Sequence, residues 1–203
     1  MLVKICGITR AADAAEAVEC GASAIGFIFW APGARYIDPQ RARAIVRTLP
    51  PFVTPVGVFV NETAEHINAV ADIVGLGCVQ LHGDETPELL DSLTRPVMKA
   101  VGRVDDGTAD RWPANVMLLV DADDQVNRGG TGTRADWVGA ARLAAARRTL
   151  LAGGLRPENV ADAVTAVRPF GIDVSSGVED SPGIKNPARI RQLFEALRGV
   201  PLS

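Results

Sequence analysis

The feature that most constrains the fold of this chain is a regular alternation between two kinds of segment. Short apolar runs rich in β-branched residues alternate with longer, amphipathic, alanine-rich runs, with no linker or low-complexity stretch between them. Short runs of the first kind predict strands, and runs of the second kind predict helices. An alternation of the two along the whole chain predicts parallel strands connected by helices.

The apolar runs predict eight strands, which is the number in a (β/α)8 barrel. The predicted strands cover residues 2–6, 24–29, 55–60, 78–81, 97–101, 116–120, 149–151 and 172–174. The chain has 203 residues, enough for one domain with a large core, although barrels of this kind usually have about 250. We therefore predict an α/β fold, a single-domain (β/α)8 TIM barrel over residues 1–203, with an open doubly wound sheet as the alternative.

Several of the predicted helices begin at recognisable signals. Thr9 and Asp38 are predicted N-caps, and Pro39, Pro157 and Pro187 are predicted in first turns, where a proline costs no hydrogen bond. The predicted helices cover residues 9–20, 39–49, 64–74, 86–92, 137–147, 157–167 and 187–197, and the weakest helical signal lies at 105–111.

Charge, cysteine content and hydropathy exclude several functional classes. The net charge is -3 and the basic residues are scattered, so we expect no nucleic-acid partner. Cys6, Cys20 and Cys78 are widely spaced and form no CxxC pair, which argues against a zinc site and suits a reducing cytoplasm. No apolar run approaches the roughly 20 residues that cross a bilayer. We expect a cytoplasmic protein that neither binds a membrane nor contains a metal.

The residues that directly follow the predicted strands are the candidates for chemistry, because the active site of such a barrel lies at the C-terminal ends of its strands. Cys6 ends the first strand, and Gly7 after it would let a ligand approach. Its thiol could act as a base or nucleophile, or it could simply pack in the core. Asp121 follows the sixth strand, where apolar surroundings can prepare a carboxyl group for general-acid use. A turn or capping role is the alternative, and Asp123 and Asp124 are competing candidates.

A free thiol has a pKa of about 8.5, so Cys6 needs help to ionise at neutral pH. Lys4 lies two positions earlier in the same strand. Residues two apart in a strand share a face, so Lys4 could supply that help.

The last two predicted strands end in small-residue turns. Gly153 and Gly154 follow the seventh strand, and Ser175, Ser176 and Gly177 follow the eighth. Backbone amides in such turns can bind a phosphate, and the loops after these two strands form the recurrent phosphate site of TIM barrels. The alternative is that each glycine only permits a turn.

Further side chains near the strand ends could bind the rest of a ligand. Arg35 lies in the long segment 30–37, and its guanidinium could pair with a carboxylate or remain solvated. His82 follows the fourth strand and could donate a hydrogen bond, titrate near neutral pH or anchor a loop. Glu179, Lys99 and Asn61 could serve binding or satisfy loop hydrogen bonds.

Several motifs follow one another in a characteristic order. They are Lys4-Ile5-Cys6-Gly7-Ile8-Thr9, Arg35-Tyr36-Ile37, Val56-Gly57-Val58-Phe59-Val60-Asn61, Val79-Gln80-Leu81-His82-Gly83, Gly129-Gly130-Thr131-Gly132, Leu151-Ala152-Gly153-Gly154-Leu155 and Asp173-Val174-Ser175-Ser176-Gly177-Val178-Glu179. Together they resemble the phosphoribosylanthranilate isomerase family over essentially the whole chain. The first and last motifs are highly specific as a pair, whereas the glycine turns alone would fit many phosphate-binding barrels.

The resemblance implies the Amadori rearrangement of N-(5-phosphoribosyl)anthranilate in tryptophan biosynthesis, a reaction that needs no cofactor or metal. It implies that Cys6 is the general base, Asp121 the general acid and Arg35 the partner of the anthranilate carboxylate. The implied partner is a small phosphorylated molecule, and we expect a monomer or homodimer. The remaining expected substrate-binding residues are His82, Gly153, Gly154, Asp173, Ser175, Ser176 and Gly177.

Three positions depart from the family pattern. Gly33 stands where serine is common, Ala135 where phenylalanine is common and Asn186 where aspartate is common; none is the proposed acid or base. Two other functions compete with the first. The related Amadori isomerisation of histidine biosynthesis uses an aspartate where this chain has Cys6. A non-catalytic phosphate-ligand binding protein would not need both Cys6 and Asp121.

Overall fold

A closed barrel of eight parallel strands forms the centre of the fold in the computed structural model, which describes residues 1–102, 107–121 and 137–200. Neighbouring strands pair in sequence order, and the eighth closes onto the first. The strands are β1 (Leu2–Ile5), β2 (Ala24–Ile28), β3 (Thr54–Phe59), β4 (Cys78–Leu81), β5 (Val97–Val101), β6 (Met117–Val120), β7 (Thr149–Leu151) and β8 (Gly171–Val174). The predicted single-domain (β/α)8 barrel is confirmed, and the open sheet is excluded.

Helical segments follow the strands around the outside of the barrel. The α-helices are α1 (Ala11–Cys20), α2 (Pro39–Val46), α3 (Ala64–Val74), α4 (Thr108–Arg111), α5 (Trp137–Ala146), α6 (Val160–Val167) and α7 (Pro187–Arg198). The segment predicted as a helix at 86–92 is a 3-10 helix, Pro87–Ser92, with no buried residue. Its leucines, Leu89 and Leu90, are only partly buried where they pack against the core.

Two of the predicted helix starts are correct and two are wrong. The carboxylate of Asp38 accepts the backbone N–H of Gln40 at 2.9 Å and caps α2, and Pro187 lies in the first turn of α7. Thr9 is not an N-cap, because its hydroxyl donates to the carbonyl of Gly183 and α1 begins two residues later. Pro157 precedes α6, which begins only at Val160.

The segment between β8 and α7 contains a small hairpin that the sequence analysis did not predict. Its strands are β9 (Glu179–Ser181) and β10 (Ile184–Lys185), which pair antiparallel after a 3-10 turn at Ser176–Val178. The hairpin brings Glu179 and Lys185 back to the end of the barrel where β1 and β8 terminate.

The barrel interior changes from apolar to polar along the strands. A small apolar cluster inside the barrel is separate from the large core that the helices cover, and it contains Ala24, Val56, Met98, Leu119, Leu150 and Ala152. The buried polar residues of β1, β4 and β8 are Lys4, Gln80 and Asp173. The apolar cluster thus shares the barrel interior with polar residues that lie toward the C-terminal ends of the strands. Within the residues described, no helix is long and apolar enough to cross a membrane.

Candidate active site

Cys6 lies at the C-terminal end of β1, in a space that a glycine leaves open. Its backbone N–H donates to the carbonyl of Val174 at 2.9 Å, and the residue is buried. A Cβ atom at position 26 would lie 2.7 Å from the sulfur of Cys6 and 3.1 Å from Cε of Lys4. Gly26 therefore makes room for both side chains. This role of Gly26 was not predicted from the sequence, although a glycine inside a strand is a signal of close approach.

Lys4 is fully buried beneath Cys6 and is held by two partners. Its Nζ atom donates to Oδ2 of Asp173 at 2.9 Å and to Oε1 of Gln80 at 2.8 Å. Burial by itself lowers the pKa of Lys4, but the charges and hydrogen bonds of Asp173 and Cys6 together outweigh burial and leave the pKa above its ordinary value. Lys4 therefore carries a fixed positive charge.

Burial and the neighbouring positive charges shift the pKa of the Cys6 thiol in opposite directions. Burial raises its pKa, and the negative charge of Asp173 raises it further, whereas the charges of Lys4 and Lys185 lower it. The net result is a pKa above the ordinary value for cysteine. Lys4 does face Cys6, as the spacing in the strand predicts, but it offsets only part of the effect of burial.

Oδ1 of Asp173 is a buried acceptor that the described residues leave without a hydrogen-bond donor. Oδ2 of the same carboxylate binds Lys4, but Oδ1 has no hydrogen-bond partner among the residues that the structure describes. A buried carboxylate oxygen without a donor is costly. A ligand with a hydroxyl or N–H group could supply the missing hydrogen bond.

Asp121 and His82 lie together at the ends of β6 and β4. Oδ2 of Asp121 is 3.5 Å from Nε2 of His82, and each side chain is 13% exposed. Nδ1 of His82 lies 2.7 Å from Nε2 of Gln80. Gln80 was not predicted as a site residue, although a polar residue at an inward position of an apolar strand is a signal that could have indicated it. Asp123 and Asp124, the competing candidates, lie outside the described residues, as do the motif at 129–132 and Ala135.

The loop that carries His82 is fastened by a buried ion pair. Nζ of Lys99 lies 2.8 Å from Oε2 of Glu85 and donates to the carbonyl of Gly83 at 2.6 Å. Oε1 of Glu85 accepts the backbone N–H of Asn61 at 2.8 Å. Lys99 and Asn61 thus serve loop hydrogen bonds, which was one of the two roles that the sequence left open.

Arg35 is held in place by Glu179 rather than solvated. Its Nε and Nη2 atoms lie 2.9 and 2.7 Å from Oε1 and Oε2 of Glu179, and the two side chains are 15% and 4% exposed. A Cβ at Gly7, whose φ is +73°, would lie 2.7 Å from Cδ of Arg35. Gly7 thus lets the arginine cross close over the end of β1.

Lys185 joins this pair from the hairpin. Its Nζ atom is fully buried, 2.7 Å from Oε1 of Glu179 and 3.2 Å from the carbonyl oxygen of Ser175. Burial raises the pKa of Glu179, but Arg35 and Lys185 outweigh it and hold the pKa below its ordinary value. No sequence pattern indicated Lys185, because its position depends on the hairpin.

The turns after β7 and β8 lie side by side. Gly153 and Gly154 have φ values of +83° and +64°, a conformation that glycine adopts without strain. A Cβ at Gly177 would overlap the carbonyl oxygen of Leu155, so the second turn packs directly against the first. The side chain of Asn159 donates to the carbonyl of Gly154 at 3.0 Å and supports the first turn from behind.

These features define a class of protein: a (β/α)8 barrel enzyme whose titratable groups and paired glycine turns meet at the C-terminal ends of the strands. The family model for N-(5'phosphoribosyl)anthranilate (PRA) isomerase matches residues 3–196. The chain belongs to this family, as its motifs predicted, and is an isomerase.

Individual relatives match over nearly their full length. An N-(5'-phosphoribosyl)anthranilate isomerase of Citrifermentans bemidjiense is 47% identical over 203 residues, covering 98% of each chain. A solved phosphoribosyl anthranilate isomerase in complex with reduced 1-(o-carboxyphenylamino)-1-deoxyribulose 5-phosphate is 41% identical, with a TM-score of 0.86, covering 98% of this chain and all of that one. Monomeric forms of the dimeric Thermotoga maritima isomerase are 40% identical, with a TM-score of 0.86 and coverages of 98% and 100%.

Proposed function

We propose that this protein catalyses the Amadori rearrangement of N-(5'-phosphoribosyl)anthranilate to 1-(2-carboxyphenylamino)-1-deoxyribulose 5-phosphate in tryptophan biosynthesis. Cys6 is the general base and Asp121 the general acid. The observation that carries the proposal is that these two groups stand at the ends of β1 and β6 of one barrel, joined through Lys4, Gln80 and His82. Membership of the isomerase family supports the same reaction.

The reaction needs one proton donor and one proton acceptor. Asp121 protonates the ring oxygen of the furanose, and the ring opens to a Schiff base. Cys6 then removes the proton from C2 of the sugar, and the resulting enolamine tautomerises to the ketone. A general acid or a general base each typically increases the rate by about 10²–10⁴-fold. Neither step needs a metal or a redox cofactor.

The thiolate of Cys6 is the form that accepts the proton. Burial holds the pKa of Cys6 above its ordinary value, so the thiolate is the minor form at neutral pH but a strong base once formed. Lys4 and Lys185 both lower that pKa. Their role in the proposal is to offset part of the effect of burial, so that the thiolate forms at an accessible pH.

The phosphate and the anthranilate carboxylate of the substrate bind to different groups of the protein. The turns at Gly153-Gly154 and Ser175-Ser176-Gly177 bind the phosphate through backbone N–H groups. Arg35 binds the anthranilate carboxylate: Glu179 engages its Nε and one side of Nη2, and a guanidinium has five N–H donors. The N–H groups of Nη1 and Nη2 on the other edge can therefore donate to a second carboxylate.

His82 and Asp173 complete the set of substrate-binding residues. A hydroxyl of the opened sugar chain donates to Oδ1 of Asp173, the buried acceptor that lacks a partner in the described part of the chain. His82 lies beside Asp121 and faces the same space. The protein acts on this small phosphorylated substrate in the cytoplasm as a monomer or homodimer.

Turnover of two aminoaldoses by the purified protein tests the proposal. We expect rapid isomerisation of N-(5'-phosphoribosyl)anthranilate in the presence of a chelator, and far slower turnover of the phosphoribosyl aminoaldose of histidine biosynthesis. Preference for the second compound would favour the rival isomerase, whose base is an aspartate. Binding of either compound without turnover would instead indicate a non-catalytic binding protein.

A further inference from the structure

Gln80 is a buried polar residue in the middle of the site whose two ends contact different groups. It lies on β4, is 1% exposed, and is flanked inside the barrel by Lys4 and His82. A buried amide is costly unless both its carbonyl and its NH₂ group find partners. These two contacts satisfy it, and they also determine which atom of the amide faces which neighbour.

Lys4 fixes the orientation of the Gln80 amide. An ammonium group has three donors and no acceptor, so the atom of Gln80 that lies 2.8 Å from Nζ must be the carbonyl oxygen Oε1. Lys4 keeps its charge because Asp173 lies 2.9 Å from the same nitrogen. The amide cannot rotate by half a turn, since its NH₂ group would then face the ammonium.

The orientation of Gln80 in turn fixes the proton of His82. The NH₂ group of Gln80 lies 2.7 Å from Nδ1 of the imidazole and can only donate. Nδ1 must therefore be an unprotonated acceptor. A proton on Nδ1, whether in the other neutral tautomer or in the imidazolium, would bring two donors together at this distance.

We propose that Gln80 is a positioning residue that holds His82 as the neutral tautomer with its proton on Nε2, directed toward Asp121. Nε2 lies 3.5 Å from Oδ2 of Asp121, and such contacts often shorten when a ligand binds. The side chains thus form a directed chain of donors and acceptors from Lys4 through Gln80 and His82 to Asp121.

The charge state of His82 affects how easily Asp121 is protonated, and this consequence rests on the proposed role of Asp121 as general acid. An imidazolium beside Asp121 would favour the carboxylate, which has no proton to give to the ring oxygen of the substrate. A neutral ring leaves the carboxyl group easier to protonate. After proton transfer, the Nε2–H group can still donate to the carboxylate that forms.

The tautomer can be measured without reference to activity. The chain has only two histidines, and His66 lies exposed on α3, so a His66→Gln variant assigns the ring nitrogens of His82 in long-range ¹H–¹⁵N spectra. We expect the pattern of a neutral ring protonated on Nε2. A ring protonated on Nδ1 would overturn the proposal, even if the protein isomerises its substrate efficiently.

A Gln80→Glu variant replaces the donor that faces Nδ1 of His82 with an acceptor and keeps the shape of the side chain. A carboxylate at position 80 accepts from both Lys4 and His82, so the proton should move to Nδ1 and turnover should fall by roughly ten- to a hundredfold with little change in KM. The same change at Gln192, exposed on α7, is the matched control and should alter neither property. Unchanged turnover in a Gln80→Glu protein whose Nδ1 is protonated would refute the positioning role.

A second variant tests the proposal if Gln80→Glu does not fold. Gln80→Met removes both hydrogen bonds at similar volume, and we expect mixed tautomers of His82 together with slower turnover. A pure Nε2–H ring in Gln80→Met would overturn the proposal, because Gln80 would then not determine the tautomer. Absence of isomerase activity in a wild-type protein with the expected tautomer would refute the proposed function while leaving the assignment of His82 intact.

Discussion

Replacing Arg35 with alanine tests whether its guanidinium orients the substrate. In the structure Arg35 binds Glu179 through Nε and Nη2, and Glu179 also binds Lys185 at 2.7 Å. Lys185 remains to pair with Glu179 when Arg35 is removed. The variant should therefore fold, with a loss of stability below the roughly 3–5 kcal/mol that an unpaired buried charge costs.

The expected loss of affinity follows from the bond that Arg35 offers to a carboxylate. A hydrogen bond to a charged group contributes about 1.5–3 kcal/mol, which corresponds to roughly ten- to a hundredfold in Kd. Arg35→Lys should recover only part of this loss, because an ammonium lacks the planar pair of donors. Inorganic phosphate, for which we propose the turns after β7 and β8 as the binding site, should bind almost as in the wild type.

Calorimetric titration with the reduced product analogue and with inorganic phosphate measures both effects. Arg95→Ala is a matched control, since Arg95 pairs with Asp72 at 2.6 Å in the segment before β5, away from the strand ends that form the site. Equal losses for the analogue and for phosphate in Arg35→Ala would refute the reasoning. Arg35 would then order the loop or bind phosphate instead of the carboxylate.

Three further predictions concern the acid and the base. Cys6→Ala should lower kcat by at least about a hundredfold with the fold intact, because general-base contributions are typically about 10²–10⁴; near-normal kcat would remove Cys6 from the mechanism. Asp121→Asn should bind the reduced analogue normally in calorimetry but lose most of its rate, since the amide has no transferable proton; substantial residual turnover would show that another group is the acid. Burial raises the pKa of Cys6, so wild-type kcat/KM should increase with pH above neutrality. In Cys6→Asp this increase should move to lower pH. If kcat/KM instead rises over the same pH range as in the wild type, a group other than residue 6 causes the increase.

The site contains buried charged side chains, and each of them is paired with an opposite charge. Lys4 with Asp173 and Lys99 with Glu85 are both almost fully buried pairs. Such pairs contribute little net stability compared with apolar residues. Their contacts here place specific groups: the first fixes Gln80 beside His82, and the second fastens the loop that carries His82.

The sequence by itself predicted eight strands and the positions of their ends, with a closed barrel as the preferred fold and an open doubly wound sheet as the alternative. Strand and helix periodicities are local properties, and every predicted strand lies within one residue of the observed bounds at either end. A strand end specifies which residues enter the site, so Cys6, His82, Asp121 and the two glycine turns could be located from local pattern alone. Asp38 was found for the same reason, because a helix cap involves only residues two or three positions away.

Only the tertiary structure decided what those residues contact. Lys4 meets Asp173 across 169 positions of sequence and Gln80 across 76, and Arg35 meets Glu179 across 144. Thr9 failed as a cap because its hydroxyl binds Gly183, which the hairpin brings to it from 174 positions away. The order of residues along a strand follows from the local alternation of side chains, but the pairing of charges inside a barrel depends on how eight strands close around it. That closure is a property of the whole chain, and it places a fixed ammonium beside Gln80, while the hairpin after β8 places a carboxylate beside Arg35.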